Sequence, residues 1–136
     1  MEDSQLGFAT HQEAEDAFYA AFAMCDTKAM NAVWADEKVV CIHPGSHPIF
    51  GYDGVTRSWA NILNNAELPD MLFNVINSTV KDNLAIHVVE EQFAAGNDRA
   101  VVILATNVYQ KFEAGWLMIE HHGSAVPAEL EERTVQ

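Results

Sequence analysis

The first helix is predicted from apolar residues that recur at helical spacing. From Ala14 onward, alanine, phenylalanine and cysteine fall at i, i+3, i+4, i+7, i+8 and i+11, which is the pattern of one buried face. Thr10 can cap this helix, and Glu13 stands three residues later in the second position of a capping box. The pattern therefore predicts an amphipathic helix over residues 10–25.

Two further helices and a short strand are predicted before residue 70. Residues 28–35 place Trp34 on an apolar helical face, and residues 51–65 repeat that spacing with Asp53 available as a cap. Between these helices, the apolar run at residues 38–42 indicates a short buried strand. It stops at a loop rich in proline and glycine, which cannot continue a ladder.

The second half of the chain changes to a period of two and to β-branched residues, which is typical of strands. Turn-forming residues at 82–83, 96–98 and 113–115 separate these runs, so the strands are expected to form consecutive antiparallel hairpins. The four predicted strands are residues 71–81, 84–95, 99–112 and 115–126. The order of elements predicts an α+β fold, in which a curved antiparallel sheet wraps like a cone over three N-terminal helices.

Length and composition set the expected domain organisation. With 136 residues, of which 49% are hydrophobic, the chain is expected to form one globular domain over residues 1–136. Its folded core is predicted at 9–125, with frayed ends at 1–8 and 127–136. No apolar run approaches the ~20 residues that span a bilayer, and the first residues lack a signal-peptide pattern. We therefore expect a soluble cytoplasmic protein with no membrane partner.

The charge of the chain argues against nucleic acid as a partner. Twenty acidic residues against seven basic ones give a formal net charge of −13. Such a chain repels a phosphate backbone, and no basic stripe offsets that repulsion.

Three stretches of the sequence resemble the nuclear transport factor 2-like superfamily, in its SnoaL-like branch, which is related to ketosteroid isomerases. They are AFYAAFAMCDTKAMNAVWADE, then VVCIHPG followed by IFGYDGVTRSW, and then ATNVYQKFEAGWLMIEHHGS. The resemblance implies the cone-shaped, cystatin-like fold, a pocket for a small-molecule ligand and chemistry without a cofactor. It also implies a homodimer formed through the outer face of the sheet.

The resemblance to ketosteroid isomerases also implies roles for single residues. His43 falls where those enzymes carry the carboxylate that moves protons, and an imidazole can replace it as general base near neutral pH. Phe18 falls where they carry an oxyanion-hole tyrosine, but phenylalanine cannot donate a hydrogen bond. The donor would then be Asn107, protonated His121 or Tyr109. The alternative for His43 is a loop histidine that satisfies a backbone carbonyl.

Strand alternation limits which side chains can reach the pocket. His121 and His122 are adjacent, so they must point to opposite faces of the sheet. In similar proteins the residue matching Trp116 lies on the outer face, which turns His121 and Asn107 inward. Trp116 and His122 are then expected at the dimer interface. The same alternation leaves open whether Glu90 or its neighbour Glu91 points inward.

Aromatic side chains are candidates for the substrate-binding wall, although core filling is the alternative for each of them. The candidates are Phe18, Phe22, Trp34, Trp59 and Tyr109. Of the remaining histidines, His11 is expected in solvent and His87 within the sheet.

No metal or cofactor is predicted, because the sequence lacks HExxH and CxxC motifs and a paired His-x-His. A site that joins His43 and His121 to Glu90 across the cone is the remaining alternative. Cys25 and Cys41 are expected to be small core residues.

Three functions remain compatible with the sequence. The first is a cofactor-independent enzyme that transfers protons on a small, apolar carbonyl compound, in the manner of an isomerase, cyclase or dehydratase. In that case His43 is the base, and Asn107 or His121 polarises the oxygen. The second is a ligand-binding module with the same pocket. The third is a structural dimer.

Overall fold

The described part of the chain, residues 6–65, 68–94 and 100–127 of a computed structural model, contains three helices and six strands. The helices are α1 (His11–Ala23), α2 (Thr27–Val33) and α3 (Tyr52–Leu63). The strands are β1 (Val40–Ile42), β2 (Ile49–Phe50), β3 (Met71–Lys81), β4 (Leu84–Ala94), β5 (Ala100–Phe112) and β6 (Gly115–Ala125). The predicted turn at 96–98 lies outside the described residues.

Side-chain hydrogen bonds cap the N-termini of the first two helices. The Thr10 hydroxyl accepts a hydrogen bond from the Glu13 N–H at 3.0 Å, as the predicted cap requires. A left-handed residue, Cys25 (φ 51°), then reverses the chain, and Asp26 begins α2 by accepting from the Ala29 N–H at 3.0 Å. Cys25 is exposed, so its expected place in the core is wrong.

The third helix begins differently from the prediction. Asp53 was expected to cap it, but the N-cap is Gly51, at φ 89° and without a side-chain bond. Asp53 instead lies in the first turn, where its negative charge faces the positive end of the helix dipole.

The sheet is a curved, unclosed surface with the strand order β2-β1-β6-β5-β4-β3. Strands β3 to β6 form the predicted antiparallel hairpins, with the three helices on one face, so the α+β architecture is confirmed. Strand β1 pairs in parallel with β6, with Cys41 opposite His121. The short β2, which was predicted as loop, pairs with β1 through Cys41 and Ile49. The parallel pairing brings the end of β1, and with it His43, beside His121.

A β-bulge between β5 and β6 changes which residues of β6 point inward. The register shifts from Val108 opposite Glu120 to Tyr109 opposite Met118, so the strand holds one extra residue there. Trp116 is therefore buried, at 7% exposure, with its ring centroid 5.1 Å from that of His11. The prediction that Trp116 faces outward is wrong, since strict alternation does not hold across a bulge.

The N-terminal segment before the first helix is tied to the sheet. Phe8 and Trp116 exchange backbone hydrogen bonds of 2.9 and 2.8 Å, and the Gly7 N–H donates to the Ala114 carbonyl. Residues 7 and 8, which were predicted to fray, are thus part of the folded core, whereas residues 1–5 lie outside the described range. Within the described residues, no helix is long and apolar enough to cross a membrane.

Candidate functional site

A cavity of about 170 Å³ lies between α1, α3 and the inner face of the sheet. Most of its wall is apolar, and four side chains add polar atoms to it: Tyr19, His43, Glu91 and His121. The apolar part of the wall consists of Phe18, Phe22, Pro44, Trp59, Ile62, Met71, Phe93 and Ile103. An apolar pocket with a few convergent polar groups is the usual form of a small-molecule site.

The volume of the cavity limits the size of a ligand. Benzene fits an engineered protein cavity of about 150 Å³. The present cavity, at about 170 Å³, therefore has room for one six-membered ring with a small substituent. A fused multi-ring ligand would exceed this volume and would extend out of the cavity.

His43 reaches the cavity from the end of β1. Its Nε2 lies 2.7 Å from the Ser58 hydroxyl, and its ring packs edge-on against Trp59 with centroids 5.0 Å apart. Burial lowers the pKa of His43, because a buried site disfavours the charged form. The imidazole is therefore neutral at neutral pH and can accept a proton.

His121 also lines the cavity, but its environment differs. Its Nδ1 lies 2.6 Å from the Asn107 side-chain oxygen, and the residue is only 3% exposed. Burial, followed by the charges of His43 and His122, lowers the pKa of His121 to about 3. The protonated His121 expected as an oxyanion donor is thus not present near pH 7. His122, its neighbour, is exposed on the opposite face.

Two further polar residues line the wall: Glu91, which the sequence left open against Glu90, and Tyr19, which the sequence did not indicate. The Tyr19 hydroxyl donates to Glu91 Oε2 at 2.6 Å, and both side chains are buried. Burial raises the pKa of Glu91 to about 7, while the bond from Tyr19 opposes this effect and the charge of Glu15 adds to it. In the sequence, the available signal was that Glu91 lies on the same face of β4 as Val89. The choice between Glu90 and Glu91 depends on which face of the strand is buried, and the structure shows that it is the face of Val89 and Glu91.

Two predicted site residues lie behind the wall. Asn107 is fully buried, and its amide nitrogen lies 3.0 Å from the Tyr19 oxygen and 3.3 Å from Glu15 Oε2. The Tyr109 hydroxyl donates to the same Glu15 oxygen at 3.1 Å. The donors of both residues are therefore engaged within the protein, and neither residue lines the cavity.

The aromatic candidates divide between wall and core. Phe18, Phe22 and Trp59 line the cavity, whereas Trp34 does not. Trp34 is the C-cap of α2 and is fully buried in the hydrophobic core. The structure therefore supports core filling, the alternative for Trp34, because this residue follows α2 in an extended conformation and pairs with Met118 of β6.

The geometry does not assemble the alternative metal site. Glu90 accepts a hydrogen bond from Gln92 at 3.2 Å on the face of β4 opposite to the cavity, so it does not meet His43 and His121. Within residues 6–65, 68–94 and 100–127, no group of three histidine, cysteine or acidic side chains can hold a metal ion.

Comparison with known proteins identifies the family. The model of the SnoaL-like domain matches residues 12–129, which is most of the chain. The protein belongs to the SnoaL-like family. Among curated proteins, none matches this SnoaL-like chain.

Solved structures place this SnoaL-like domain in the NTF2-like fold. A protein of Thiobacillus denitrificans, assigned as a calcium/calmodulin-dependent protein kinase type II association domain, is 36% identical with a TM-score of 0.83, over 89% of this chain and 98% of that one. An NTF2-like protein of Streptomyces avermitilis, assigned as a dehydratase, is 25% identical with a TM-score of 0.74, over 85% and 93%. A ketosteroid isomerase-like protein of Erwinia carotovora is 19% identical with a TM-score of 0.69, over 85% and 93%, and shows the fold alone.

Proposed function

We propose that this SnoaL-like protein binds a small single-ring carbonyl compound in the cavity and catalyses proton transfer on it without a cofactor. The observation that carries the proposal is the presence of His43 and Glu91 on the wall of one apolar cavity. Two titratable groups whose environments shift their pKa values in a sheltered pocket are typical of acid–base sites.

The two groups suit opposite roles in such a reaction. Neutral His43 accepts a proton from the carbon next to the carbonyl group, while protonated Glu91 donates a proton to the carbonyl oxygen. The product is an enol, which returns to a ketone when a proton is delivered to the same carbon or to a conjugated one. Because the pKa of Glu91 is raised to about 7, its acid form is populated near neutral pH.

The assignment of a relative is compatible with acid–base chemistry in this fold. The Streptomyces avermitilis protein, 25% identical, is assigned as a dehydratase. Dehydration of a hydroxy compound requires a base that removes a proton from carbon and an acid that protonates the leaving hydroxyl. His43 and Glu91 can supply both.

Exchange of α-hydrogen for deuterium in cyclohexanone tests the proposal. We expect the protein in D₂O to accelerate this exchange, followed by NMR, and His43→Ala to lower the rate by about 10²-fold because the base is lost. His47→Ala is the matched control, since His47 is an exposed histidine four residues along the same loop. Exchange no faster than in buffer, or a His43→Ala variant as fast as the wild type, would refute the proposed chemistry.

We also propose that the protein self-associates through the outer face of the sheet. Exposed apolar side chains lie there on adjacent strands, with Ile86 40% and Leu104 37% exposed. His122, opposite Thr106 on the same face, is exposed as well. The Thiobacillus denitrificans relative, which is 36% identical, is assigned as an association domain. A second copy of this chain is the partner that we propose for this exposed apolar face.

A double substitution, Ile86→Glu with Leu104→Glu, is expected to give a monomer. Burying two carboxylates in a subunit interface is costly, so the dissociation constant should rise by at least about 100-fold. Size-exclusion chromatography with light scattering measures the mass. Met24→Glu, at an exposed site at the C-terminal end of α1, is the control and should remain a dimer. A double variant that keeps the mass of the wild type would contradict the proposed interface.

A further inference from the structure

A buried carboxylate, Glu15 on α1, lies at the centre of a hydrogen-bond network behind the cavity. It is 2% exposed, and three groups approach its Oε2 atom. They are His87 Nδ1 at 2.9 Å, the Tyr109 hydroxyl at 3.1 Å and the Asn107 amide nitrogen at 3.3 Å. A carboxylate oxygen only accepts hydrogen bonds, so Glu15 determines which end of each neighbouring group faces it.

A second histidine, His11, extends this network beyond His87. His11, which was expected in solvent, is half-buried, and its Nδ1 lies 2.8 Å from His87 Nε2. His87 Nδ1 then lies 2.9 Å from Glu15 Oε2, which is an ion-pair distance without hydrogen-bond geometry. The network thus runs from the start of α1 to the wall of the cavity.

The acceptor at Glu15 fixes the orientation of Asn107. Because the Asn107 nitrogen faces Glu15, its oxygen is turned toward His121 Nδ1 at 2.6 Å. An amide oxygen only accepts, so His121 Nδ1 must carry the hydrogen. His121 is neutral near pH 7, since burial lowers its pKa, and its single ring hydrogen is therefore used in this bond. The lone pair of Nε2 is left for a ligand in the cavity.

The same amide also orients Tyr19. The Asn107 nitrogen lies 3.0 Å from the Tyr19 oxygen, which accepts there and donates its own hydrogen to Glu91. Glu15, acting through Asn107, thus sets the direction of the hydrogen bonds to two groups of the cavity wall, His121 and Glu91.

We infer that Glu15 is a positioning residue that fixes His121 as a hydrogen-bond acceptor, so that the cavity selects single-ring ligands that carry a hydroxyl group. The inference deepens the proposed function by naming a ligand feature, and it rests on that cavity being the ligand site. It does not depend on the proton transfer by His43 and Glu91.

The ring hydrogen of His121 can be located in the wild-type protein. Two-bond ¹H–¹⁵N correlation NMR of the ¹⁵N-labelled chain at pH 7 distinguishes the two neutral forms of a histidine. We expect His121 to carry its hydrogen on Nδ1. A hydrogen on Nε2 would overturn the inference, and this measurement needs no substitution that endangers folding.

Binding of phenol and toluene tests the selection of a hydroxyl group. The two rings are nearly equal in size, and an apolar wall without an acceptor would favour toluene. We expect the wild type to bind phenol about fivefold to tenfold more tightly by calorimetry, as one net hydrogen bond allows. Toluene binding as tightly as phenol, or more tightly, would overturn the inference.

Substitution of Glu15 should change both the position of the His121 hydrogen and the preference for phenol. Glu15→Gln introduces a donor at the centre of the network, so the preference for phenol should fall to within about twofold and the His121 hydrogen should occupy both nitrogens. Asp16→Asn, at an exposed site of the same helix, is the control and should keep both properties. A folded Glu15→Gln variant with both properties intact would refute the role of Glu15. If it does not fold, the wild-type NMR and binding results decide.

The outcomes separate this inference from the proposed function. A protein that prefers phenol but does not accelerate exchange in cyclohexanone retains the hydroxyl selection and loses the proton transfer. A protein that accelerates exchange but prefers toluene loses only the hydroxyl selection.

Discussion

Replacing Glu91 by glutamine is expected to lower the rate of deuterium exchange in cyclohexanone by about 10³-fold. Glutamine keeps the size of the side chain but cannot deliver a proton, and general acid–base groups contribute about 10²–10⁴-fold to such rates. The loss should appear in kcat more than in KM, because the amide can still fill the space and contact the ligand oxygen. The measurement is the initial rate of exchange at saturating ketone, followed by NMR.

The pH dependence of the exchange rate tests the role of Glu91 independently. Because the acid form of Glu91 is required and its pKa is raised to about 7, the wild-type rate should fall as the pH rises above about 7. Glu91→Gln should lack this alkaline fall. Glu90→Gln, the neighbour that points away from the cavity, is the matched control and should keep both the rate and the profile. A Glu91→Gln variant with the wild-type rate would rule Glu91 out as the acid.

The free energy of unfolding should also change with pH as Glu91 titrates. The pKa of Glu91 is raised from 4.5 to about 7 on folding, so the folded state binds the proton more tightly than the unfolded state does. The protonated group therefore favours the folded state fully below about pH 4.5, and this contribution is lost as the pH rises through about 7. Relative to Glu91→Gln, the free energy of unfolding of the wild type should fall by about 3 kcal/mol between pH 4.5 and 8, measured by urea denaturation.

The architecture could be predicted from the sequence because each element carries its own period. The spacing from Ala14 places α1 on the sheet, and three turn signals separate the long strands of period two. Strand β2 could not be predicted in this way, since a pair of residues inside a proline-rich loop has no period. It forms because β1 offers a free edge there, and such a contact is visible only when the chain has folded.

The candidate site could be predicted only in part, because strand parity and helix packing decide which side chains reach the cavity. His121 lines the cavity and Trp116 is buried as well, because the bulge near Ile119 shifts the parity between these two residues. Glu91 could not be chosen over Glu90, since both faces of β4 carry apolar and acidic residues. Tyr19 lies beside Phe18 on α1, and only the packing of that helix against β4 brings its hydroxyl to Glu91.

Trp34→Ala is expected to lower the free energy of unfolding by about 3–5 kcal/mol without changing ligand affinity. Trp34 is fully buried in the core away from the cavity, and removal of a large core aromatic costs this much through lost contacts and an unfilled space. Such a loss is a large share of the ~5–15 kcal/mol by which a domain is stable. Urea denaturation measures the stability, and calorimetry of the folded fraction measures phenol binding.

Trp59→Ala is the comparison that distinguishes a tryptophan of the cavity wall from a tryptophan of the core. Trp59 lines the cavity and packs edge-on against Phe18 with ring centroids 5.4 Å apart, so its removal opens the wall as well as destabilising the fold. The affinity for phenol should fall by at least about tenfold, because a ring-shaped ligand loses its largest apolar contact. If Trp34→Ala instead left stability unchanged and weakened phenol binding, Trp34 would belong to the ligand site and the cavity would extend toward α2.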